Sequence, residues 1–226
     1  FVFTIPEVNV NNFAIPNPVT RNNAGKAIIV ASEVRGSDSD VRIYDEPDSR
    51  GSIRWIGNST WYNSSASASN SALYEVHILG AEPDSRLTSV AGLGQFTSLI
   101  NNSSYTGGDF NGDNVPDFVV GCPGEQNGRG AIYVVPVRPV FGHRMAVVDL
   151  ANFNRALPPG TDANLEIPVV GIKLIGSDPT WQLGEIVRPA GDFNGDGLAD
   201  VVIAIPKLTS RSGLPEAGRV IIMFGQ

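Results

Sequence analysis

Two stretches of this chain, residues 108–123 and 191–206, carry oxygen-bearing side chains at matching positions. The first reads GDFNGDNVPDFVVGCP and the second reads GDFNGDGLADVVIAIP. Hard cations such as Ca²⁺ need several oxygen ligands, and a tight loop with donors at alternating positions directs those ligands to one point. The spacing therefore predicts one Ca²⁺ site in each stretch. The predicted side-chain ligands are Asp109, Asn111, Asp113 and Asp117 in the first loop and Asp192, Asn194, Asp196 and Asp200 in the second.

Each loop also has residues suited to its backbone course. Val115 and Leu198 stand at the seventh position, where a backbone carbonyl completes such a ligand set. The sixth position of such a loop needs a sharp turn. Gly197 in the second loop allows this turn, and Asn114 in the first loop tolerates it better than most residues do. Both loops are therefore compatible with the turn that a bound cation requires.

The segments after the loops do not resemble an EF-hand. Val120 and Ile203 stand where an EF-hand has its bidentate Glu, and both lie in short, β-branched runs that end at a Pro. The loops are thus predicted to connect strands rather than helices. The alternative is an ordinary Asn/Asp/Gly turn that binds no ion. Two copies with identical donor types at identical spacing favour calcium over that alternative.

The composition predicts an all-β protein. Hydrophobic residues make up 42% of the 226 residues, whereas 25 Gly and 16 Pro favour short strands and many turns. The net charge of −7, with no basic patch, argues against a nucleic-acid partner. No apolar run is long enough to suggest a transmembrane segment. Cys122 lies in an apolar run and is expected to be a small, buried core residue.

The GDFNGDG loop, followed by a strand that ends in a small residue and Pro, resembles the FG-GAP repeat of integrin α-subunit β-propellers. The resemblance implies β-propeller-like blades of four antiparallel strands, with the loop joining the first two strands of a blade. The second strand would end at residues 121–123 and 204–206, and the third would span 130–137 and 218–225. Residues 171–176 would form a fourth strand.

The N-terminal third resembles a degenerate third copy. Residues 27–32 have the form of a second strand, 40–45 of a third and 74–80 of a fourth. The segment before Ala27 has no Asp, so calcium is not expected there. The chain is therefore divided, within a single propeller-type domain spanning 1–226, into a degenerate repeat at about 19–80 and calcium repeats at about 87–176 and 177–226.

About three repeats are too few for a closed propeller, which typically needs about four to eight blades. The last blade would also lack its fourth strand, unless the N-terminal FVFTI segment supplies it to the same chain or to a neighbour. The predicted fold is therefore incomplete or completed by assembly. The expected partner is another protein, or copies of this chain joined through strand edges.

No catalytic motif is present: there is no G-x-S-x-G, no H-E-x-x-H and no phosphate-binding Gly loop. His77 and His143 lie in unrelated contexts. Weak calcium loops of this kind are filled outside cells, which favours an extracellular location. Sequons make glycans possible on Asn58, Asn63, Asn101 or Asn102, although Ser/Asn-rich loop composition explains them slightly better.

The predicted function is therefore that of an extracellular, non-catalytic, calcium-binding protein that acts in adhesion or protein–protein assembly. One alternative is a structural subunit of a filament or surface layer joined through open blade edges. A second alternative is the non-catalytic propeller part of a larger secreted enzyme.

Overall fold

The computed structural model is all-β across the part of the chain that it describes. That part comprises residues 2–12, 14, 19–32, 43–44, 54–55, 73–92, 108–113, 117–136, 145–162, 166–210 and 212–226. Its strands form an N-terminal, a central and a C-terminal sheet, together with a small two-stranded sheet. The prediction of an all-β, propeller-like but incomplete fold is confirmed.

The central sheet is a blade of four antiparallel strands. In spatial order it contains β6 (Ser89–Gly92), β7 (Asp117–Cys122), β8 (Ala131–Pro136) and β10 (Ile172–Ile175). The β-branched run of β7 is buried on both faces of this sheet. These strands match the second, third and fourth strands predicted from the sequence. A short helical turn, Glu125–Gly128, connects β7 to β8.

The C-terminal sheet repeats this arrangement with three strands. Its order is β11 (Ile186–Gly191), β12 (Asp200–Ile205) and β13 (Arg219–Met223), all antiparallel. The register between β11 and β12 shifts between Pro189 and Gly191, just before the second loop. Among the described residues, β13 has no partner on its outer edge, which is where β10 lies in the central sheet.

The N-terminal sheet differs from the predicted repeat. Its order is β1 (Val2–Ile5), β2 (Lys26–Ser32), β5 (Leu73–Leu79) and β9 (Met145–Asp149). The proposal that FVFTI supplies the missing strand of the last blade is wrong, because Val2–Ile5 pairs antiparallel with β2. That segment is therefore paired at the other end of the chain, as the edge strand of the N-terminal sheet.

Two further strand assignments change in this sheet. The segment predicted as a fourth strand, β5, pairs directly with β2 and so occupies the third-strand position. Within 40–45, the described residues Ile43–Tyr44 form β3 and pair with β4 (Arg54–Trp55) in the two-stranded sheet. The fourth position is taken by β9, which runs parallel to β5. β9 continues into a 3₁₀ helix, Leu150–Asn152.

The central sheet contributes side chains to two cores because alternate residues of a strand point to opposite faces. Phe118 and Val120 of β7 pack towards the N-terminal sheet, together with Cys122, which is fully buried. Val119 of the same strand packs towards the C-terminal sheet, in a cluster that also contains Phe110. The prediction that Cys122 is a buried core residue is confirmed. No described helix is long and apolar enough to cross a membrane.

Candidate metal-binding loops

The first loop is folded around its leading aspartate. Asp109 Oδ1 accepts hydrogen bonds from the backbone N–H groups of Gly112 at 2.7 Å and Asp113 at 3.1 Å. Asn111 Oδ1 also accepts from the Asp113 N–H, at 3.0 Å. Gly112 has a φ of 74°, a conformation that a glycine adopts without strain. These bonds fold the segment back on itself and place its polar side chains on one tight turn.

The second loop has the same arrangement. Asp192 Oδ1 accepts from the N–H groups of Gly195 at 2.7 Å and Asp196 at 3.0 Å, and Asn194 Oδ1 accepts from the Asp196 N–H at 3.1 Å. The Gly197 N–H additionally donates to Asp192 Oδ2 at 3.0 Å. The repeated sequence therefore encodes one loop conformation, and that conformation occurs once in the central sheet and once in the C-terminal sheet.

A buried aspartate closes each loop at the start of the following strand. Asp117 Oδ2 accepts from the Phe110 N–H at 2.8 Å, and Asp200 Oδ2 accepts from the Phe193 N–H at 2.7 Å. Both aspartates are fully buried at the first residue of β7 and β12, respectively. The closing carboxylate is thus positioned by the strand, whereas the other predicted metal ligands belong to the turn.

The two closing aspartates differ in their second oxygen. Asp200 Oδ1 accepts from the Gly225 N–H at 2.9 Å. Asp117 Oδ1 is buried and has no hydrogen-bond partner in the described structure. Burial, reinforced by the nearby carboxylates of Asp113 and Asp109, raises the pKa of Asp117 to about 7, although its bond from Phe110 opposes this shift. The first loop therefore contains a buried carboxylate oxygen that accepts no hydrogen bond from the described residues.

In the exposed second loop, hydrogen bonds lower the pKa of an aspartate, Asp196, whereas burial raises the pKa of Asp117 in the first loop. The Leu198 N–H donates to Asp196 Oδ1 at 2.9 Å, and Asn194 Nδ2 donates to Asp196 Oδ2 at 2.7 Å. These bonds lower the pKa of Asp196, so the carboxylate stays ionised over a wide pH range. An ionised carboxylate is the form that a calcium ligand must have.

The donor set fits Ca²⁺ in its chemistry. No group of three or more Asp, Glu, His or Cys side chains converges as a ready metal cluster within the described residues, because the loop carboxylates are oriented towards backbone N–H groups. The predicted sets also rely on amide and carbonyl oxygens, which suit calcium. The buried, unpartnered oxygen of Asp117 is where a cation would compensate the charge. Val115, the predicted carbonyl ligand of the first loop, lies outside the described residues.

Backbone contacts join the first loop to the second loop and to Gln226, and the sequence pattern did not predict them. The Ala199 N–H donates to the carbonyl of Asp109 at 2.7 Å, and the Gln226 N–H donates to the carbonyl of Phe110 at 2.8 Å. Phe110 itself is buried in the core between the central and C-terminal sheets. The phenylalanine that follows the first aspartate of each motif was the available signal, since an aromatic residue in a polar loop indicates a packing role.

Of the remaining candidate residues, those that the structure describes, His77 and Cys122, lie on strands outside the two loops. His77 is buried on β5 in the N-terminal sheet. His143 and the four sequon residues lie outside the described part of the chain. Cys122 is close to Glu125, which accepts from Tyr133 Oη at 2.8 and 2.6 Å and pairs with Lys173. The sequon residues are Asn58, Asn63, Asn101 and Asn102.

Comparison with known proteins agrees with the repeated loops. A family model described as "FG-GAP repeat" matches residues 101–135 and 189–223, which include both loops and the two strands after each. The chain is also 32% identical over 122 residues to phosphatidylinositol-glycan-specific phospholipase D of Bos taurus. That similarity covers 54% of this chain and only 13% of the phospholipase. The chain thus contains two copies of the FG-GAP repeat, in a propeller-like fold.

Proposed function

We propose that this chain is a calcium-binding, non-catalytic propeller-type module that acts in adhesion or protein–protein assembly outside the cell. The observation that carries the proposal is the occurrence of one loop conformation in two adjacent sheets, each copy with three aspartates and an asparagine at the same spacing. The acidic side chains recur as a repeated set, whereas an active site is normally a single asymmetric cluster.

The first ion would be held by Asp109, Asn111, Asp113, the Val115 carbonyl and Asp117. The second would be held by Asp192, Asn194, Asp196, the Leu198 carbonyl and Asp200. A bound Ca²⁺ would supply the positive charge that relieves repulsion among the carboxylates and stabilises the turn. Loops of this kind in extracellular modules bind with dissociation constants on the order of 10⁻⁴–10⁻³ M, so they are filled outside cells.

An adhesion assay tests this function with the chain itself. Beads coated with the chain should aggregate in millimolar calcium and disperse in EGTA. Beads coated with the Asp113→Ala/Asp196→Ala double variant should remain dispersed in both buffers. Beads that never aggregate, or that aggregate equally in EGTA, would contradict calcium-dependent adhesion between copies. Beads coated with serum albumin control for nonspecific clustering.

A filament or surface-layer subunit is favoured by one specific observation. In the described part of the chain, β13 pairs only with β12, whereas the equivalent β8 pairs on both sides. An unpaired strand edge can accept a strand from another molecule. Electron microscopy of the purified chain with calcium distinguishes this alternative, because it predicts rings or filaments rather than single particles.

The similarity to the phospholipase favours the second alternative, a non-catalytic propeller part of a larger secreted enzyme. This alternative predicts that the chain alone does not hydrolyse a phosphatidylinositol-glycan substrate under conditions in which the bovine phospholipase does. Turnover by the purified chain that Asp113→Ala and Asp196→Ala leave unchanged would contradict a non-catalytic function and locate the activity outside the two loops.

A further inference from the structure

A single peptide unit joins the two loops. Its carbonyl belongs to Leu198, the predicted backbone ligand of the second loop, and its N–H belongs to Ala199. That N–H donates to the carbonyl of Asp109, the first predicted ligand of the first loop, at 2.7 Å. Ala199 also directly precedes Asp200, the buried aspartate that closes the second loop. One backbone hydrogen bond therefore connects the two predicted ligand sets.

A second connection between the loops runs through the backbone of Phe110. Its N–H donates to Asp117 Oδ2 at 2.8 Å, and its carbonyl accepts from the Gln226 N–H at 2.8 Å. The residue before, Gly225, donates its N–H to Asp200 Oδ1 at 2.9 Å. Two consecutive amides thus bond to opposite loops, and backbone groups form a continuous path between the two closing aspartates.

We call the residues that make these backbone contacts the junction; they are Asp109, Phe110, Leu198, Ala199, Gly225 and Gln226. The junction is closely packed around Gly225. A Cβ atom built on Gly225 would lie 2.6 Å from Leu198 Cβ and 2.9 Å from the Ala199 carbonyl oxygen, both in the second loop. It would also lie 3.0 Å from the Phe110 carbonyl oxygen in the first loop. Because close-packed groups transmit a displacement to their neighbours, the two loops cannot shift independently here.

The sign of the coupling follows from what a bound ion does to the junction. A cation on the Leu198 carbonyl would polarise that peptide unit and so strengthen the N–H bond to the Asp109 carbonyl. An ion also stabilises the turn that it binds, so the backbone that both loops share is already ordered when the second ion binds. Each loop has three carboxylates, which outnumber the two charges of one Ca²⁺, so a filled loop does not repel the second ion.

We propose that the two calcium sites are coupled through the junction, so that filling either loop raises the calcium affinity of the other. This inference rests on the proposed calcium function and adds how that function responds to calcium concentration. Coupling between two binding sites is reciprocal and is typically about 5- to 150-fold in affinity. We expect about tenfold here. The chain would then fill both loops over a narrower range of calcium concentration than two independent sites would.

An NMR titration with calcium measures the two sites separately. The amide signals of Gly112 and Gly195 report on the first and second loop, because each N–H donates to the first aspartate of its own loop. Asp196→Ala leaves only the first site, and Asp113→Ala leaves only the second. The coupling factor is the two-ion association constant of the parent chain divided by the product of these two single-site constants. It should be about 10 in the parent chain.

Substitutions at the junction test the route of the coupling, each combined with the same two single-site variants. Gly225→Ala should lower the coupling factor to about 1, the value for independent sites, because the added Cβ pushes the two loops apart. Gln226→Pro is a second test, since it removes the N–H that bonds to Phe110 and adds no atom to Gly225. The matched control is Gly213→Ala in the same sheet. Gly213 has a φ of 84° and open space around it, so this substitution strains the backbone away from the junction and should keep the coupling factor of the parent chain.

A parent chain that binds two ions with a coupling factor of about 1 or less overturns this inference and leaves the calcium function intact. A factor that neither Gly225→Ala nor Gln226→Pro lowers also overturns it, because the coupling then does not pass through the junction. So does an equal fall in Gly213→Ala. A parent chain that binds no calcium contradicts the proposed function itself. A coupling factor that falls in Gly225→Ala or Gln226→Pro and is kept in Gly213→Ala supports the inference.

Discussion

Gly121 in β7 lies directly against the backbone of Gly184, which precedes the C-terminal sheet. A Cβ atom built on Gly121 would come within 2.0 Å of the Gly184 carbonyl oxygen, closer than any real contact of this kind. The glycine in the strand-ending corner of the first repeat is therefore required by the neighbouring segment. The equivalent residue in the second repeat is Ala204, which is half-buried and paired with Ile186, so a Cβ is accommodated there.

We expect Gly121→Ala to destabilise the chain by about 2–3 kcal/mol, because the backbone of one segment must move to relieve the overlap. Urea unfolding followed by circular dichroism measures this change. The matched control, Ala204→Ser, adds one atom at the equivalent position and should change the unfolding free energy by less than about 0.5 kcal/mol. Equal effects of the two substitutions would contradict the close approach of Gly121 to Gly184.

Asp117→Asn and Asp200→Asn should have opposite consequences when calcium is removed. Asp117 Oδ1 has no partner in the described structure, so in EGTA removing its charge should leave the melting temperature equal to or above that of the parent chain. Both oxygens of Asp200 accept backbone N–H bonds, so Asp200→Asn should lose about 1–3 kcal/mol in the same buffer. Differential scanning calorimetry in EGTA compares them, and a clear loss of stability for Asp117→Asn would contradict the unpartnered oxygen.

Lys173 compensates a buried charge. Its Nζ pairs with Glu125, whose side chain is 1% exposed and also accepts from Tyr133. Lys173→Met should cost about 3 kcal/mol because it leaves the carboxylate buried without a cation. The Glu125→Gln/Lys173→Met double variant should recover a large part of that loss, as measured by urea unfolding. If the double variant loses as much unfolding free energy as the Glu125→Gln and Lys173→Met single variants together, the two side chains do not stabilise each other.

Cys122 should be unreactive in the folded chain. The thiol is fully buried, and burial, followed by the negative charge of Glu125, raises its pKa well above the usual value. A thiol reagent at pH 8 should therefore label the chain only in denaturant. Labelling of the native chain at the rate of a free cysteine would indicate that the strand β7 opens or that the thiol has a reactive role.

The loops and the strand that follows each of them were predictable from sequence because their determinants are local. The alternating donors, the glycines of the turn and the β-branched run that ends at a Pro all lie within residues 108–123. The same applies to residues 191–206. In each case the hydrogen bonds that fold the loop join residues no more than seven positions apart.

The N-terminal sheet was not predictable in this way because its pairings join distant segments. β1 pairs with β2 across an intervening segment, and β9 reaches β5 from far along the chain in a parallel register. Short apolar strands do not specify which edge they join. The contacts between the two loops also depend on how adjacent sheets pack, and a motif within one repeat does not encode that packing.

The central claim, that each loop binds one Ca²⁺, is tested most directly by calorimetric titration of the chain with calcium. The parent chain should bind two ions. Asp113→Ala and Asp196→Ala should each remove one site and spare the other, and the double variant should bind none. A parent chain whose titration is indistinguishable from that of the double variant would contradict the claim and leave the two loops as turns held by hydrogen bonds alone.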